Sequence, residues 1–122
     1  MEVRMESKEI LELAVKAADS KRAEEIIALD VSEVSVMADY FVIMDANSKR
    51  QVQAIAEAVV EQAHKNDIVI KSVEGKQAGN WVLVDLGDVI VHVFQKDQRQ
   101  FYNLEKLWSQ APMVNIDQWV EA

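Results

Sequence analysis

Apolar and polar residues follow two rhythms along this chain. Over residues 7–21 the apolar positions Ile10, Leu11, Ala14, Val15 and Ala18 recur at spacings of three and four. That spacing predicts a helix with one buried stripe. Ser7 is placed to cap it, with Glu9 and Glu12 near its positive end and Lys21 and Arg22 near its negative end. The same rhythm returns at Val52, Ile55, Ala56, Val59 and Ala63. Ser48-Lys49-Arg50-Gln51 ahead of it has the form of a capping box, with Gln51 reaching back, and Asn66-Asp67 closes the pattern. A third helix is predicted over 99–108, with Phe101, Leu104 and Trp108 on one side.

The second rhythm is that of strands. Residues 26–31 and 39–45 read as two of them. Tyr40-Phe41-Val42-Ile43-Met44 has no polar break, as expected of an interior strand covered on both faces. Residues 68–73 read as another strand, followed by a loop over 75–80. The segments 81–86 and 89–94 are joined by Gly87-Asp88, which predicts a hairpin with a primed two-residue turn. The order α, β, β, α, β, β, β, α describes a mixed α/β fold, with about five strands in one sheet and helices packed on it. The Tyr40 strand, its helix and the 68–73 strand read as a βαβ unit. One domain is expected over 1–112, with a short tail over 113–122 after Pro112.

The hairpin turn fixes a register. Trp81 faces Phe94, Val82 faces Val93, Leu83 faces His92, Val84 faces Val91, Asp85 faces Ile90 and Leu86 faces Val89. One side then carries Val82, Val84, Leu86, Val89, Val91 and Val93, which is core. The other carries Trp81, Leu83, Asp85, Ile90, His92 and Phe94. Aromatics with a few fixed polar groups suit a protein-binding patch. Equally, a helix covers the aromatics and leaves Asp85 and His92 at the sheet margin.

Composition narrows the function. The chain has 122 residues, 50% hydrophobic and 28% charged, with three glycines and one proline, which is ordinary for one globular domain. The absence of cysteine removes disulfides, thiolate catalysis and sulfur-ligated zinc. The charged N-terminus lacks a signal core, and no apolar run approaches the roughly 20 residues of a membrane span, so a cytoplasmic location is expected. Thirteen basic against 21 acidic residues give a net charge of -8, which opposes charge-driven binding to phosphate backbones and favours a basic protein surface or a cation. Six acidic and no basic residues occupy 23–48, either as a solvated edge or to steer a basic partner.

Candidate chemistry is sparse. Asp85 and His92 are diagonal neighbours in the predicted register, at about 7 Å between Cβ atoms. They form either a structural contact or a base assisted by a carboxylate, but no nucleophile or oxyanion donor accompanies them. Asp85 and Asp88 suit a metal-binding carboxylate pair, the alternative reading being a metal-dependent nucleotidyltransferase, although Asp in a hairpin turn has conformational reasons of its own. The helix start at Ser48, near Lys49 and Arg50, is a cap before it is a phosphate site. His64 and His92 lie in different elements and lack metal-ligand spacing.

Three segments together carry a resemblance. They are Asp39-Tyr40-Phe41-Val42-Ile43 with Asn47-Ser48, Gln51-Val52 and Ala54-Ile55-Ala56; Glu74-Gly75 with Trp81-Val82-Leu83-Val84-Asp85-Leu86-Gly87-Asp88-Val89 and Val91-His92-Val93-Phe94; and Arg99, Phe101-Tyr102, Leu104-Glu105 and Leu107-Trp108. Over roughly residues 10–112 the chain resembles the bacterial ribosomal silencing factor, or Iojap-like, family. The resemblance implies a nucleotidyltransferase-like α/β fold with no established transferase activity, and no cofactor is expected. It implies binding to the large ribosomal subunit through ribosomal protein L-fourteen, blocking of small-subunit association, and a homodimer when free. Trp81, Asp85, His92, Phe94, Arg99, Phe101, Tyr102, Leu104 and Glu105 match its characteristic positions and are the expected partner-binding residues. Asp45-Ala46 stands where Thr-Gly is common in the family, which weakens a phosphate site there. The tail, with Trp119, lies outside the motif, either packing on its own chain or making a dimer contact.

Overall fold

The computed structural model describes residues 6–120. Helix α1 (Ser7–Ser20) leads to β1 (Glu24–Asp30) and β2 (Tyr40–Ala46), then α2 (Lys49–Lys65), β3 (Ser72–Glu74), β4 (Trp81–Asp85) and β5 (Val89–Gln95). Two short helices, α3 (Lys96–Tyr102) and α4 (Leu104–Leu107), precede β6 (Met113–Val114). The sheet order is β3-β4-β5-β2-β1-β6, mixed and six-stranded rather than five. β2 and β5 pair in parallel and every other neighbour is antiparallel.

The helical stripes do what their spacing predicts. Ile10, Leu11, Ala14, Val15 and Ala18 of α1, and Val52, Ile55, Ala56, Val59 and Ala63 of α2, are buried in one cluster with Val82, Val84, Leu86, Val89, Val91 and Val93. Each Val, Leu or Ile among them contributes roughly 1.5–3 kcal/mol before entropy is subtracted, and each Ala less. β2 is interior, and Phe41 to Ala46 are all buried.

Several local expectations are corrected. Ser7 lies in the first turn of α1; Glu6 is the capping position, and its N–H donates to Glu9 Oε1 at 3.2 Å. Ser48 does cap α2, its hydroxyl accepting the Gln51 N–H at 3.1 Å. The Gln51 side chain does not close a box. It donates to the Lys21 and Arg22 carbonyls at 3.2 Å, tying α2 to the end of α1 because those carbonyls have no helical partner of their own. The strand expected over 68–73 shrinks to Ser72–Glu74, while Ile68 and Ile70 pack against the core from irregular backbone. Apolar alternation records burial there, not pairing.

The βαβ expectation is also altered. β3 runs parallel to β2, but β4 and β5 lie between them, so the unit is split by the hairpin. Beyond Pro112, β6 pairs with β1, Ile116 is buried, and Trp119 and Val120 pack on the same core. Among the described residues no helix is long and apolar enough to cross a membrane.

The hairpin register is as predicted from Trp81↔Phe94 to Asp85↔Ile90, and Leu86 N–H donates to the Val89 carbonyl at 2.9 Å. Gly87 takes φ +89°, which a glycine adopts without Cβ strain.

Candidate functional site

On the face of the sheet opposite α1 and α2, Leu29, Val31, Phe41, Ile43, Ile90 and Phe94 form a second, smaller buried cluster. Trp81, Leu83, Leu104 and Trp108 lie against it half-buried. The cover is α3 and α4, neither of which has a fully buried residue. The single helix expected over 99–108 is broken at Asn103, whose φ of +47° and ψ of +56° turn the chain. A left-handed residue is rare except at Gly, Asn and Asp. The break parts the predicted stripe. Leu104 and Trp108 turn inward, while Phe101 is 80% exposed, Tyr102 46% and Leu107 73%.

The aromatic rings form a ladder from core to surface. Phe94 is fully buried; Trp81 stacks on it at 5.0 Å between centroids and meets Tyr102 at 4.7 Å, and Tyr102 meets the exposed Phe101 edge-on at 5.2 Å. The loop before Trp81 approaches closely: at Gly75, with φ +79°, a Cβ would lie 2.2 Å from the Trp81 carbonyl oxygen. A side chain there would displace β4.

Asp85 and His92 have different partners. Asp85 Oδ1 accepts the Gly87 N–H at 2.8 Å, so the carboxylate holds the hairpin turn. His92 is buried, 6% exposed, and its Nδ1 accepts the Trp81 Nε1–H at 3.1 Å. Phe41 meets the imidazole edge-on at 5.4 Å. Burial pushes the His92 pKa down to about 4, so the ring is neutral at physiological pH. Neither an assisted base nor a structural Asp–His contact is built here.

Arg99 and Glu105 meet in a network absent from the sequence reading. Arg99 Nη1 donates to Asp45 Oδ2 at 2.9 Å and to the Glu25 carbonyl at 2.6 Å, and Nε donates to Glu105 Oε1 at 2.8 Å. One guanidinium thereby ties α3 to β1, β2 and α4. Asp45 is 3% exposed, so its charge needs this partner. Lys96 adds a contact to Glu24 at 3.0 Å and one to Asp45 at 3.9 Å. Glu24 and Asp45 of the acidic 23–48 stretch are thus paired within the chain. An apolar strand ending in Asp45 was the available signal that a cation must reach it.

Val34, Val36 and Met37, in the loop between β1 and β2, expose apolar side chains that no periodicity flagged. Among the described residues no group of three or more His, Cys, Asp or Glu is arranged to hold a metal.

These features define a small mixed-sheet α/β domain with one sealed face and one face whose aromatic ladder reaches solvent. The family model described as "Ribosomal silencing factor during starvation" matches residues 4–122, and the chain belongs to that family. The chain is 55% identical over 113 residues to the ribosomal silencing factor RsfS of Bacillus subtilis, covering 93% of this chain and 96% of that one. A crystal structure of a protein from Chromobacterium violaceum superposes with a TM-score of 0.85 at 37% identity, covering 86% of this chain and 88% of that one. A mouse protein named for mitochondrial assembly of the ribosomal large subunit is 30% identical over 103 residues, 81% of this chain and 45% of its own length.

Proposed function

We propose that this chain represses translation by binding the large ribosomal subunit through ribosomal protein L-fourteen and sterically blocking association with the small subunit. The observation that carries this reading is the family match across residues 4–122. The name of the mouse relative, which refers to the ribosomal large subunit, supports that target. Occlusion requires stable binding in the right place and no bond making, so no catalytic group or cofactor enters.

The docking face proposed is the aromatic ladder with its charged neighbours. Trp81, Phe101 and Tyr102 act as anchors, and Asp85 and Glu105 meet Lys or Arg of the partner. Phe94 and His92, both buried, and Arg99 and Leu104, half-buried, support that face from beneath. A net charge of -8 opposes ribosomal RNA, so contact is protein to protein with little nucleic acid. The free chain is a homodimer in this reading, and it works in the cytoplasm where subunits meet. The alternative is a metal-dependent nucleotidyltransferase using Asp85 and Asp88.

Co-sedimentation with purified large subunits, followed by a subunit-joining assay, tests the reading. The chain should sediment with large subunits and lower the yield of joined ribosomes. Sedimentation with normal joining would overturn the occlusion mechanism. Binding of Mg²⁺ and a nucleotide in calorimetry, without ribosome binding, would favour the enzyme.

A further inference from the structure

We propose that His92 is a positioning residue for Trp81: its Nδ1 accepts the indole N–H hydrogen bond and fixes the orientation of Trp81 in the docking face, without touching the partner itself. This inference rests on the docking face proposed above.

The argument begins with hydrogen-bond capacity. An indole N–H can only donate, so the His92 Nδ1 that meets it at 3.1 Å must carry a lone pair. A neutral ring then has its proton on Nε2. A doubly protonated ring would offer two donors and lose the bond. Burial keeps the ring uncharged at physiological pH, and the indole donor selects the form with the lone pair on Nδ1. The ring itself is constrained by Phe41 edge-on at 5.4 Å and by Phe94 nearly parallel at 6.4 Å.

Trp81 needs such a fix. It is only half-buried, and its contacts to Phe94 and Tyr102 are ring-to-ring. Stacking sets the plane of an aromatic ring but tolerates sliding and turning within that plane. A directional bond from Nε1 selects one orientation. The bond crosses the hairpin diagonally, since Trp81 pairs with Phe94 and His92 with Leu83 in the ladder. A docking anchor held in one pose before contact avoids an ordering cost on binding. His92 is 6% exposed and lies below this anchor layer, which suits support better than contact.

The test uses full-length chain and purified large subunits, with two substitutions of His92. His92→Asn keeps an acceptor near the Nδ1 position, and His92→Phe keeps a flat ring without one. The readouts are the Trp81 indole N–H resonance, its solvent exchange, and affinity in co-sedimentation. His92→Phe should speed indole exchange and weaken binding about tenfold, the scale of one hydrogen bond. His92→Asn should restore both to within about threefold. In a Trp81→Phe background, His92→Phe should cause no further loss, because the group it positions is gone.

A full tenfold loss in that background would overturn the proposal by showing that His92 acts without Trp81. Faster indole exchange with unchanged affinity would also overturn it, leaving the bond purely structural. If His92→Phe is poorly folded by circular dichroism, His92→Leu, which also removes the acceptor, and the Trp81→Phe cycle built on it decide. A wild-type chain that never sediments with large subunits would fail the docking reading itself. Indole exchange, which needs no ribosome, would then still show whether His92 orients Trp81.

Discussion

The two faces of the sheet are built from the same strands but closed differently. Toward α1 and α2, alternate residues of β4 and β5 are all aliphatic, and long amphipathic helices seal them. Toward α3 and α4, the same strands present Trp81, Leu83, Asp85, Ile90, His92 and Phe94. Two short helices without a buried residue of their own cover them. The first face is closed mainly by apolar burial, with the Gln51 bonds to the Lys21 and Arg22 carbonyls at its rim. The second adds specific polar bonds, Trp81 to His92 and Arg99 to Asp45 and Glu105, because apolar area alone does not hold its cover. A face whose cover is incomplete is held by directional contacts instead of by sealing. That division of labour suggests substitutions that act on one face and spare the other.

The largest effect is expected on the sealed face. Ile55→Ala should cost about 3 kcal/mol of stability, since the side chain is fully buried and its volume cannot be refilled. Urea denaturation checks this, and the folded variant should still bind large subunits. Arg99→Met should cost a similar or slightly smaller amount, about 3 kcal/mol, by leaving Asp45 buried without its guanidinium. Unlike Ile55→Ala, it should also weaken docking, because α4 loses its tie to the sheet. Equal docking by both variants would erase the contrast between the faces.

A third effect is set by pH. His92 titrates near 6.5 when unfolded and at about 4 when folded. Between those values the unfolded chain binds more protons, so this contribution is full above pH 6.5 and is lost as pH falls toward 4. The loss amounts to about 3 kcal/mol at most. The difference between wild type and His92→Phe in urea denaturation across that window should show it, while a histidine-free change on the sealed face should leave the slope as it is. The smallest effect on stability is expected from Phe101→Ser, within about 0.5 kcal/mol for so exposed a side chain. The same change should weaken large-subunit binding at least tenfold if Phe101 is an anchor.

Legibility in the sequence follows the range of the interaction. The register of the hairpin could be read because a two-residue turn at Gly87-Asp88 leaves one way to pair the flanking strands. The stripes of α1 and α2 could be read because helical spacing is local. The split of the βαβ unit could not, since the parallel partner of β2 is β5, beyond α2 and two further strands. The break at Asn103 hid behind apolar residues that suited one continuous helix. Of the expected partner-binding residues, the structure brings Trp81, His92, Phe94 and Tyr102 into one ladder. It joins Arg99 to Glu105 and leaves Asp85 at the turn. Val34, Val36 and Met37 gave no periodic signal because an exposed loop has no face to repeat.

The sequence by itself determined the composition of the two sides of the hairpin, the aliphatic one and the aromatic one, because side-chain alternation along a strand is a property of the backbone. It also carried the family resemblance and the acidity that disfavours nucleic acid. Only the tertiary structure decided what each polar residue does. Asp85 turned toward Gly87, His92 became the acceptor for Trp81, and Arg99 reached Asp45 across 54 positions of chain. Hydrogen bonds and ion pairs depend on angles and distances between elements distant in sequence, and those are settled only when the sheet order and the Asn103 turn bring the groups together.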